Sequence, residues 1–519
     1  MKMPKNRAIY IGVVALVWAF AYFYIFNAKI DINGDNCRYY TYATALATGQ
    51  GYTDISAPTP HPTNAFPPGY PLLMMPLRFF TDSVVAQKVL NGLFLLGGAL
   101  LLFFLMIKRK LPDSLALVGA CAAILSDRVL HFSTMMMSEM SCFFVSAAAI
   151  YLLTLMKEEK PFYKDWAFYG MLVMVLLCYH IRTQGVALFA AVVLFFLCTK
   201  KWKEAAGTVA GFVVGCLPWV LRNKALGLEQ SRYFESIAQV NPWRPEDGSL
   251  DLGGIVGRFF DTLAMLVSKA LPNSGIPYFK VDYTPEVSAG FLLWVAAIVL
   301  VALIVRGFWS FGKYRWVLIG YTVFTFGLIS IFSTPSENRY LTSIIPFLNM
   351  GLLVGLYEVV VWALRRMGSK LAFSPWILAL LLLTSVGNIK ELHAMNRMPF
   401  PPAYQNFFRM GAVLKEHVSP ETVVASRKGE LLYMFSGTRV TGYAFSQDDR
   451  AVIQKMLDDG VEYVILDQLG YSSTYRYLYP AIQKNDDLFF VASHIPDPDT
   501  YLLKFDREAA RKKLSQTNP

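Results

Sequence analysis

Long apolar runs alternate with short polar segments from the N-terminus to about residue 388. A helix that crosses a bilayer needs about 20 mainly apolar residues, and eleven runs approach or reach that length. The runs are 8–26, 84–107, 114–125, 140–156, 166–179, 186–198, 205–221, 288–305, 316–332, 344–364 and 371–386. Three of them (114–125, 166–179 and 186–198) are short, so we expect them to be tilted, broken or partly buried against neighbours. The pattern predicts an α-helical multi-pass membrane protein with about 11 transmembrane helices.

Basic residues gather in six clusters between these runs. They are Lys2/Lys5/Arg7, Lys108/Arg109/Lys110, Lys157/Lys160/Lys164, Lys200/Lys201/Lys203, Arg306/Lys313/Arg315 and Arg365/Arg366/Lys370. With eleven spans, all six clusters lie on one side of the membrane, and the positive-inside rule makes that side cytoplasmic. The N-terminus is then cytoplasmic. The exterior segments are 27–83, 126–139, 180–185, 222–287, 333–343 and everything after about 388.

The chain after residue 388 has a different pattern. Strand-length runs at 422–426, 461–466, 488–493 and 501–505 alternate with helix-like stretches at 404–417 and 446–459. This alternation predicts an exterior α/β domain with a partly parallel sheet. We therefore expect a membrane domain at 1–388, with large exterior loops at 27–83 and 222–287, and an α/β domain at 389–519. The tail has no phosphate-binding loop and no dinucleotide fingerprint, which favours binding or covering a site over chemistry.

Composition supports a membrane protein. Hydrophobic residues make up 55% and charged residues 16% of the chain, whereas soluble domains carry about 25% charged residues. The net charge of +11 does not indicate nucleic-acid binding, because the basic residues lie in short clusters between apolar runs. Five of the six cysteines lie within apolar runs, which excludes a disulfide framework, and the first run shows no clear cleavage site for a signal peptide.

The first exterior loop begins with Asp31-Ile-Asn-Gly-Asp35-Asn-Cys-Arg-Tyr-Tyr. Carboxylates at the mouth of a membrane segment are costly, and the simplest interpretation is a solvated loop that caps a helix. However, an interfacial helix at 38–48, a turn at 49–51 and the Phe-Pro-Pro-Gly-Tyr-Pro segment at 66–71 give this loop an architecture of its own. Asp31 and Asp35 are therefore candidate catalytic residues.

Polar side chains recur at the other predicted exterior span ends. They are Glu139, then His180, Arg182 and Gln184, then Arg222, and finally Glu337, Arg339 and Tyr340. Structural roles remain open for them: Tyr340 as an interfacial aromatic residue, Glu139 as a favourable charge at a helix N-terminus, Arg182 in an ion pair and His180 in packing.

Arginines and carboxylates together suit one kind of chemistry. Arginine makes paired, charge-assisted hydrogen bonds with phosphate, and a carboxylate takes a proton from a hydroxyl group. This combination suits transfer of a group from a lipid phosphate to an acceptor hydroxyl. The exterior compartment lacks nucleotide sugars, so an activated donor would have to be carried on a lipid.

Several motifs resemble those of a known class. Gly34-Asp35, Tyr39, Gly51-Tyr52 and Pro67–Pro71 resemble the first exterior loop of polyprenyl-phosphate-dependent glycosyltransferases of the multi-spanning GT-C class. That class includes protein O-mannosyltransferases and the aminoarabinose transferases that modify lipid A. Later landmarks of the class resemble Ser138-Glu139, Arg182–Gly185, Pro218-Trp219 with Arg222-Asn223, and Arg339-Tyr340 with Pro346. The resemblance covers the membrane region to about residue 350.

The resemblance implies an inverting membrane glycosyltransferase with a polyprenyl-phosphate sugar donor. The acceptor would be an envelope glycan, lipid or protein hydroxyl at the exterior, periplasmic face of a bacterial inner membrane. The family's acidic loop residue corresponds to Asp35, which implies a general base, with Asp31 second and Glu139 third. Inversion fits a single carboxylate base. A metal-free site is the default expectation, although these carboxylates could hold a hard divalent cation.

The resemblance also implies residues for the donor phosphate. Arg182 and Arg339 are the candidate cations, and Tyr70 and Tyr340 are candidate hydrogen-bond donors. Aminoarabinose-type relatives carry a lysine before the Pro-Pro pair, where this chain has Phe66, so Arg38 or His61 would have to replace it. His180, Gln184 and Glu337 are candidates for the acceptor or sugar pocket.

Two other classes of function stay open. A flippase or transporter of lipid-linked saccharides would also place arginines around a phosphate in a multi-spanning bundle. A structural partner in an envelope assembly would use the tail as an interaction module. The chain shows no internal repeat, which is common in transporters, and its polar residues cluster at one face, so the transferase is the favoured hypothesis.

Overall fold

The structure is a computed structural model that describes residues 5–228, 237–275, 279–283, 287–332 and 339–516. Its residues form two units. The first unit takes its residues from 1–30, 64–233 and 251–397, and the second from 31–63, 234–250 and 398–519. Residues 31–63 of the predicted first exterior loop (27–83) therefore group with the C-terminal residues, and the rest of that loop groups with the helical unit. The division of the chain into 1–388 and 389–519 stays a prediction.

The first unit is helical. Within the described residues, seven helices are long and apolar enough to cross a membrane: Asn6–Ile25, Val84–Lys108, Trp202–Ala225, Phe291–Trp309, Gly312–Ile331, Ile345–Arg366 and Pro375–Arg397. An eighth candidate is the pair Asp113–Leu125 and Asp127–Ser133, which is bent by 63°. Three shorter apolar helices are Glu139–Leu155, Trp166–Ile181 and Thr183–Cys198. The chain is an integral membrane protein.

The eleven predicted apolar runs all overlap these helices. The number that cross the membrane stays a prediction, because several helices are short. Glu139–Leu155 has 17 residues and Trp166–Ile181 has 16, and a rise of about 1.5 Å per residue makes each shorter than a hydrocarbon core of about 30 Å. The run predicted at 114–125 ends at Ser126, whose extended backbone breaks the helix before Asp127. Short helices of this kind are tolerated where neighbouring protein covers their ends.

Glycines bring two of the long helices into close contact. A Cβ atom at Gly307 would overlap the carbonyl of Gly351, and one at Gly355 would overlap the carbonyl of Leu303. The helices Phe291–Trp309 and Ile345–Arg366 thus pack backbone to backbone. Small residues at such an interface provide the van der Waals contact that holds membrane helices together in the absence of a hydrophobic driving force.

Residues of the predicted cytoplasmic clusters pair with acidic or aromatic side chains from other parts of the chain. Arg7 binds Asp113 at 2.9 Å, and Arg306 binds Glu358 at 3.0 Å. Lys313 pairs with Glu158, and the Arg109 guanidinium lies 5.1 Å from the Tyr314 ring centre. These contacts join helices and connections that are distant in sequence. Which side of the membrane they face stays a prediction.

The second unit contains a five-stranded mixed sheet, whose strands lie in the order Arg439–Thr441, Val423–Ala425, Tyr463–Leu466, Thr500–Phe505 and Phe489–Ile495. The strands are β3 (Val423–Ala425), β4 (Arg439–Thr441), β5 (Tyr463–Leu466), β6 (Phe489–Ile495) and β7 (Thr500–Phe505), and a separate antiparallel pair is formed by β1 (Thr53–Asp54) and β2 (His61–Pro62). β3 is parallel to β4 and β5, whereas β7 is antiparallel to β5 and β6.

In the described part of this unit, six α-helices accompany these strands: Asp35–Ala47, Pro402–His417, Gly429–Ser436, Asp449–Asp458, Tyr479–Lys484 and Arg507–Gln516. The helix Asp449–Asp458 starts at the Asp448 cap, whose side chain accepts a hydrogen bond from the Arg450 backbone. It packs Val452, Ile453 and Met456 into the apolar core beside the sheet. Residues 427–430 follow the carboxyl end of β3, and they belong to the candidate site.

Candidate active site

Asp35 is the first residue of the helix Asp35–Ala47. Its side chain is half-buried, as is that of Asp31. A carboxylate in the first turn of a helix is stabilised by the exposed backbone N–H groups at that end. Gly34, directly before it, has φ of +106°, a conformation that residues with a Cβ atom rarely adopt. The Gly34-Asp35 pair is therefore a backbone turn that presents a carboxylate at a helix start.

A buried amide holds this turn together. The Asn36 side chain donates to the Asp31 carbonyl at 2.8 Å and accepts from the Gly34 N–H at 2.9 Å. Asn36 is fully buried, where an unmade hydrogen bond would be costly. Both candidate aspartates thus lie on one segment whose backbone is tied by a single side chain.

Two residues that follow β3 hold the same segment. The Lys428 ammonium donates to the carbonyls of Ile32 at 3.0 Å and Asn33 at 2.7 Å. Glu430 forms an ion pair with Arg38. Burial lowers the pKa of Arg38, but Glu430, Tyr42 and Asp35 together outweigh this effect and raise it. Arg38, a predicted phosphate ligand, is therefore engaged by a carboxylate of its own unit.

The other end of the loop lies along β4. Val440 donates its backbone N–H to the Ser56 carbonyl at 2.7 Å, and the Arg439 guanidinium donates to the Ile55 carbonyl. His61, the other predicted substitute for the missing lysine, is exposed on β2, with Nδ1 3.0 Å from the Thr59 carbonyl. The segment 31–63 is thus attached to the C-terminal residues at both ends.

In the first unit, two arginines bind one carboxylate oxygen. Oε1 of Glu139 lies 2.8 Å from Nη1 of Arg182 and 3.1 Å from Nε of Arg339. The side chains of Glu139, Arg182 and Arg339 are 1%, 11% and 25% exposed, so the cluster is largely removed from water. Oε2 of Glu139 is buried and has no hydrogen-bond partner within the described part of the chain. The three side chains together carry one excess positive charge.

The three residues of this cluster lie at the ends of helical segments that are far apart in the sequence. Glu139 begins the helix Glu139–Leu155, Arg182 directly follows the helix Trp166–Ile181, and Arg339 begins a 3₁₀ turn that precedes the helix Ile345–Arg366. Arg182 also donates to the Ser138 hydroxyl at 3.0 Å. An ion pair was one of the roles left open for Arg182, and the structure contains it, because the Arg182 guanidinium binds Glu139.

The remaining predicted residues of this unit lie around the cluster. The Gln184 amide donates to the Tyr340 carbonyl at 2.8 Å, and the Arg182 guanidinium lies 5.8 Å from the Tyr340 ring centre. Nε2 of His180 lies 3.4 Å from the Gly215 carbonyl. Glu337 lies outside the described residues.

Tyr70 is 1% exposed and lies next to a close backbone contact. A Cβ atom at Gly69 would lie 2.6 Å from backbone atoms of His180 and Ile181. The glycine of the Pro-Pro-Gly-Tyr-Pro motif is therefore required for the start of the helix Gly69–Arg78 to approach the segment that carries Arg182.

Sequence reasoning missed the charged residues after β3. Lys428 and Glu430 contact the Asp35 segment, and Arg427 stacks against the rings of Trp243, Phe445 and Tyr471, 4.7–5.4 Å from their centres. A signal was present, because the Arg-Lys-Gly-Glu stretch directly follows a predicted strand, and the carboxyl ends of parallel strands are common binding edges. Within the described residues, no group of three histidine, cysteine or acidic side chains forms a metal site.

Residues 66–215 match the family model for dolichyl-phosphate-mannose-protein mannosyltransferases. Two solved structures of ArnT from Cupriavidus metallidurans resemble the chain over 96% of its length and 97% of theirs. The apo form has a TM-score of 0.61 at 11% identity, and the form bound to undecaprenyl phosphate has 0.59 at 12%. The oligosaccharyltransferase of Archaeoglobus fulgidus, tethered with an acceptor peptide, has a TM-score of 0.58 at 11% identity and covers 96% of this chain and 74% of its own. The fold is that of the GT-C glycosyltransferases.

The GT-C fold confirms the resemblance noted in the sequence. The matched family segment includes Tyr70, Glu139, His180, Arg182 and Gln184. Asp35 and Arg339 lie outside that segment, although the structural likeness extends over most of the chain. No curated protein sequence matches the chain significantly. In this GT-C fold, the candidate residues belong to two clusters, one on the Asp35 segment and one around Glu139.

Proposed function

We propose that this GT-C protein is a glycosyltransferase that moves a sugar from a polyprenyl-phosphate donor to an acceptor hydroxyl. The mannosyltransferase family match and the fold support the reaction class. The ArnT structure bound to undecaprenyl phosphate supports a lipid phosphate as the carrier. The acceptor would be a lipid, glycan or protein hydroxyl at the periplasmic face of a bacterial inner membrane, with the N-terminus in the cytoplasm.

The observation that carries the proposal is that the Glu139 carboxylate binds both Arg182 and Arg339. Two guanidinium groups converge on one carboxylate oxygen in a largely buried place. Charged side chains within a membrane domain are costly and mark a functional site by default. A phosphate anion fits such a pair of arginines, since planar guanidinium groups bind phosphate through paired hydrogen bonds. Glu139 is then the counter-ion that positions both arginines.

The same cluster suits the leaving group of the transfer. When the bond between the anomeric carbon and the phosphate oxygen breaks, negative charge grows on the lipid phosphate, and fixed cations stabilise it. Tyr70 and Tyr340 are the proposed neutral donors to phosphate oxygens, and Arg38 and His61 stay alternatives. His180, Gln184 and Glu337 are proposed to line the sugar or acceptor pocket.

Asp35 is the proposed general base. The acceptor oxygen attacks the anomeric carbon with inversion, its proton passes to the Asp35 carboxylate, and the lipid phosphate leaves with the electrons of the broken bond. A positioned base contributes roughly 10²–10⁴-fold to such a step. Asp35 begins a helix behind a tied turn, which suits a group that must be held still. Asp31, on the same segment, is the second candidate.

The proposal is tested with the purified protein in lipid vesicles that contain polyprenyl-phosphate-linked sugars. Candidate acceptors carrying hydroxyl groups are added outside, and the release of polyprenyl phosphate is measured together with the glycosylated product. A transferase releases both in equal amounts and only when acceptor is present. A flippase would move the intact donor between leaflets without cleaving it, and that result would replace the proposal.

A further inference from the structure

We propose that Lys428 and Glu430 are positioning residues for Asp35, so that the C-terminal segment is part of the catalytic machinery. This inference rests on the proposed function only for the predicted effect on kcat. Lys428 directly precedes the helix Gly429–Ser436 that follows β3, and Glu430 lies in the first turn of that helix. Their partners are almost 400 positions earlier in the chain, at sequence separations of 392, 395 and 396.

The Lys428 side chain holds the backbone of residues 32 and 33, and we call this contact the clamp. Its side chain is buried, with 8% of the residue exposed, and its ammonium donates to two consecutive carbonyls, those of Ile32 and Asn33. The ring centre of Tyr471 lies 5.0 Å from the same ammonium. A buried ammonium is stable only with partners of this kind, because burial without them is costly. The charge of Lys428 thus fixes the two peptide groups that precede Gly34.

The clamp reaches the residue next to Asp35. A Cβ atom at Gly34 would lie 3.4 Å from the Lys428 ammonium. The ammonium therefore packs against the turn at Gly34, whose positive φ places Asp35 at the start of its helix. A shift of the Ile32 and Asn33 carbonyls would carry Gly34 and the Asp35 backbone with it.

Glu430 holds the other side of Asp35. It pairs with Arg38, which lies three residues after Asp35 in the same helical turn. Asp35 is thus held between a contact at residues 32–34 and a contact at residue 38, and both come from residues 428–430. A base held at two points keeps its carboxylate in one place, and misplacement of a reacting group by about 1 Å can cost on the order of 10²-fold in rate.

The test uses Lys428→Met in the full-length protein, because methionine keeps an unbranched apolar side chain and loses the ammonium. We expect kcat to fall by roughly 10- to 100-fold, with the KM for the lipid-linked donor unchanged. Lys428→Arg keeps a cation and should lose less. Hydrogen exchange of the backbone amides of 31–38 should become faster in Lys428→Met.

The matched control is Lys484→Met, which removes a lysine of the same unit that pairs with Asp449 at 3.1 Å. It should leave kcat and the exchange of 31–38 unchanged. A second test reverses the ion pair: Arg38→Glu and Glu430→Arg alone should each lower kcat, and the double variant should recover part of the loss.

The outcomes separate this inference from the proposed function. Unchanged exchange of 31–38 in Lys428→Met would overturn the positioning role whatever the activity. Faster exchange with a parental kcat would overturn it as well, because the clamp would then not matter for catalysis. If the parent protein transfers no sugar, the proposed function fails and Lys428 has no base to position.

Discussion

Arg182 and Glu139 are joined by a hydrogen-bonded ion pair of 2.8 Å between Nη1 and Oε1, and Arg339 binds the same oxygen at 3.1 Å. Arg182 and Arg339 lie 157 positions apart in the sequence, yet one buried carboxylate orients both. This shared carboxylate holds the two guanidinium groups side by side, and the proposed phosphate site is based on that arrangement.

Arg182→Ala should weaken binding of undecaprenyl phosphate and slow transfer together. Charge-assisted hydrogen bonds contribute roughly 1.5–3 kcal/mol, so the dissociation constant should rise by about 10- to 100-fold. Binding of labelled undecaprenyl phosphate to the purified protein measures the effect. Arg306→Ala, which removes an arginine paired with Glu358, is the control and should bind as the parent does. Parental affinity in Arg182→Ala would make the arginine purely structural.

Glu139→Gln separates a counter-ion from a base. The amide keeps a hydrogen-bond acceptor for the arginines and removes the negative charge that competes with phosphate. We therefore expect undecaprenyl phosphate to bind at least as tightly, and transfer to continue at a reduced rate because the arginines are held less firmly. Complete loss of transfer with intact binding would instead identify Glu139 as the base.

Gly69→Ala should destabilise the first unit. Its Cβ atom would lie 2.6 Å from backbone atoms of His180 and Ile181, so the backbone must shift, at a cost of about 1–3 kcal/mol. Gly12→Ala is the matched control, because nothing lies within 4 Å of its added Cβ. A lower Tm for Gly69→Ala alone is the expected result. Equal Tm values would show that the close contact at the Pro-Pro-Gly-Tyr-Pro motif does not constrain this segment.

Asp467 should make the stability of the second unit depend on pH. Burial raises the pKa of this carboxyl from 3.8 to about 6, against smaller opposing effects of the Leu469 N–H, Arg427 and Lys428. The folded protein therefore keeps a proton between about pH 4 and pH 6 that the unfolded chain releases, and stability falls as pH rises through that window.

Asp467→Asn removes that titration. The pH-dependent contribution that it abolishes amounts to at most about 3 kcal/mol. We expect Asp467→Asn to raise Tm at pH 7 relative to the parent, with the difference shrinking below pH 5. Tm measured from pH 4 to pH 8 on both proteins checks this. A difference that is constant over the whole range would contradict the assigned titration.

The helices of the membrane region were predictable because lipid leaves the backbone little choice. Polar backbone groups in hydrocarbon must bond within their own segment, so an apolar run such as 344–364 predicts a helix directly. The short run at 114–125 was expected to be tilted, broken or partly buried, but the position of the bend at Ser126 was not predictable, because it depends on the neighbours that cover the exposed backbone. β4 was missed for another reason: it has three residues, of which only Val440 is buried.

The candidate residues could be named from the sequence, but their partners could not. Arginines and carboxylates at span ends are unusual enough to identify Glu139, Arg182 and Arg339 without a structure. Their pairing depends on how helices pack and leaves no local pattern in the sequence. The same holds for Lys428, whose two carbonyl partners are backbone atoms. Backbone acceptors have no residue preference, so no sequence motif marks such a contact.

The central claim is that Asp35 is the general base, and the sugar-transfer activity of the Asp35→Asn variant tests it most directly. Asparagine keeps the shape of the side chain and removes its basicity, and Asp31→Asn makes the same change on the same segment. Sugar transfer is measured for both variants alongside binding of the polyprenyl-phosphate donor. We predict that Asp35→Asn binds donor and transfers no measurable sugar, whereas Asp31→Asn keeps substantial activity. An active Asp35→Asn would contradict the account, and a simultaneously inactive Asp31→Asn would assign the base to Asp31.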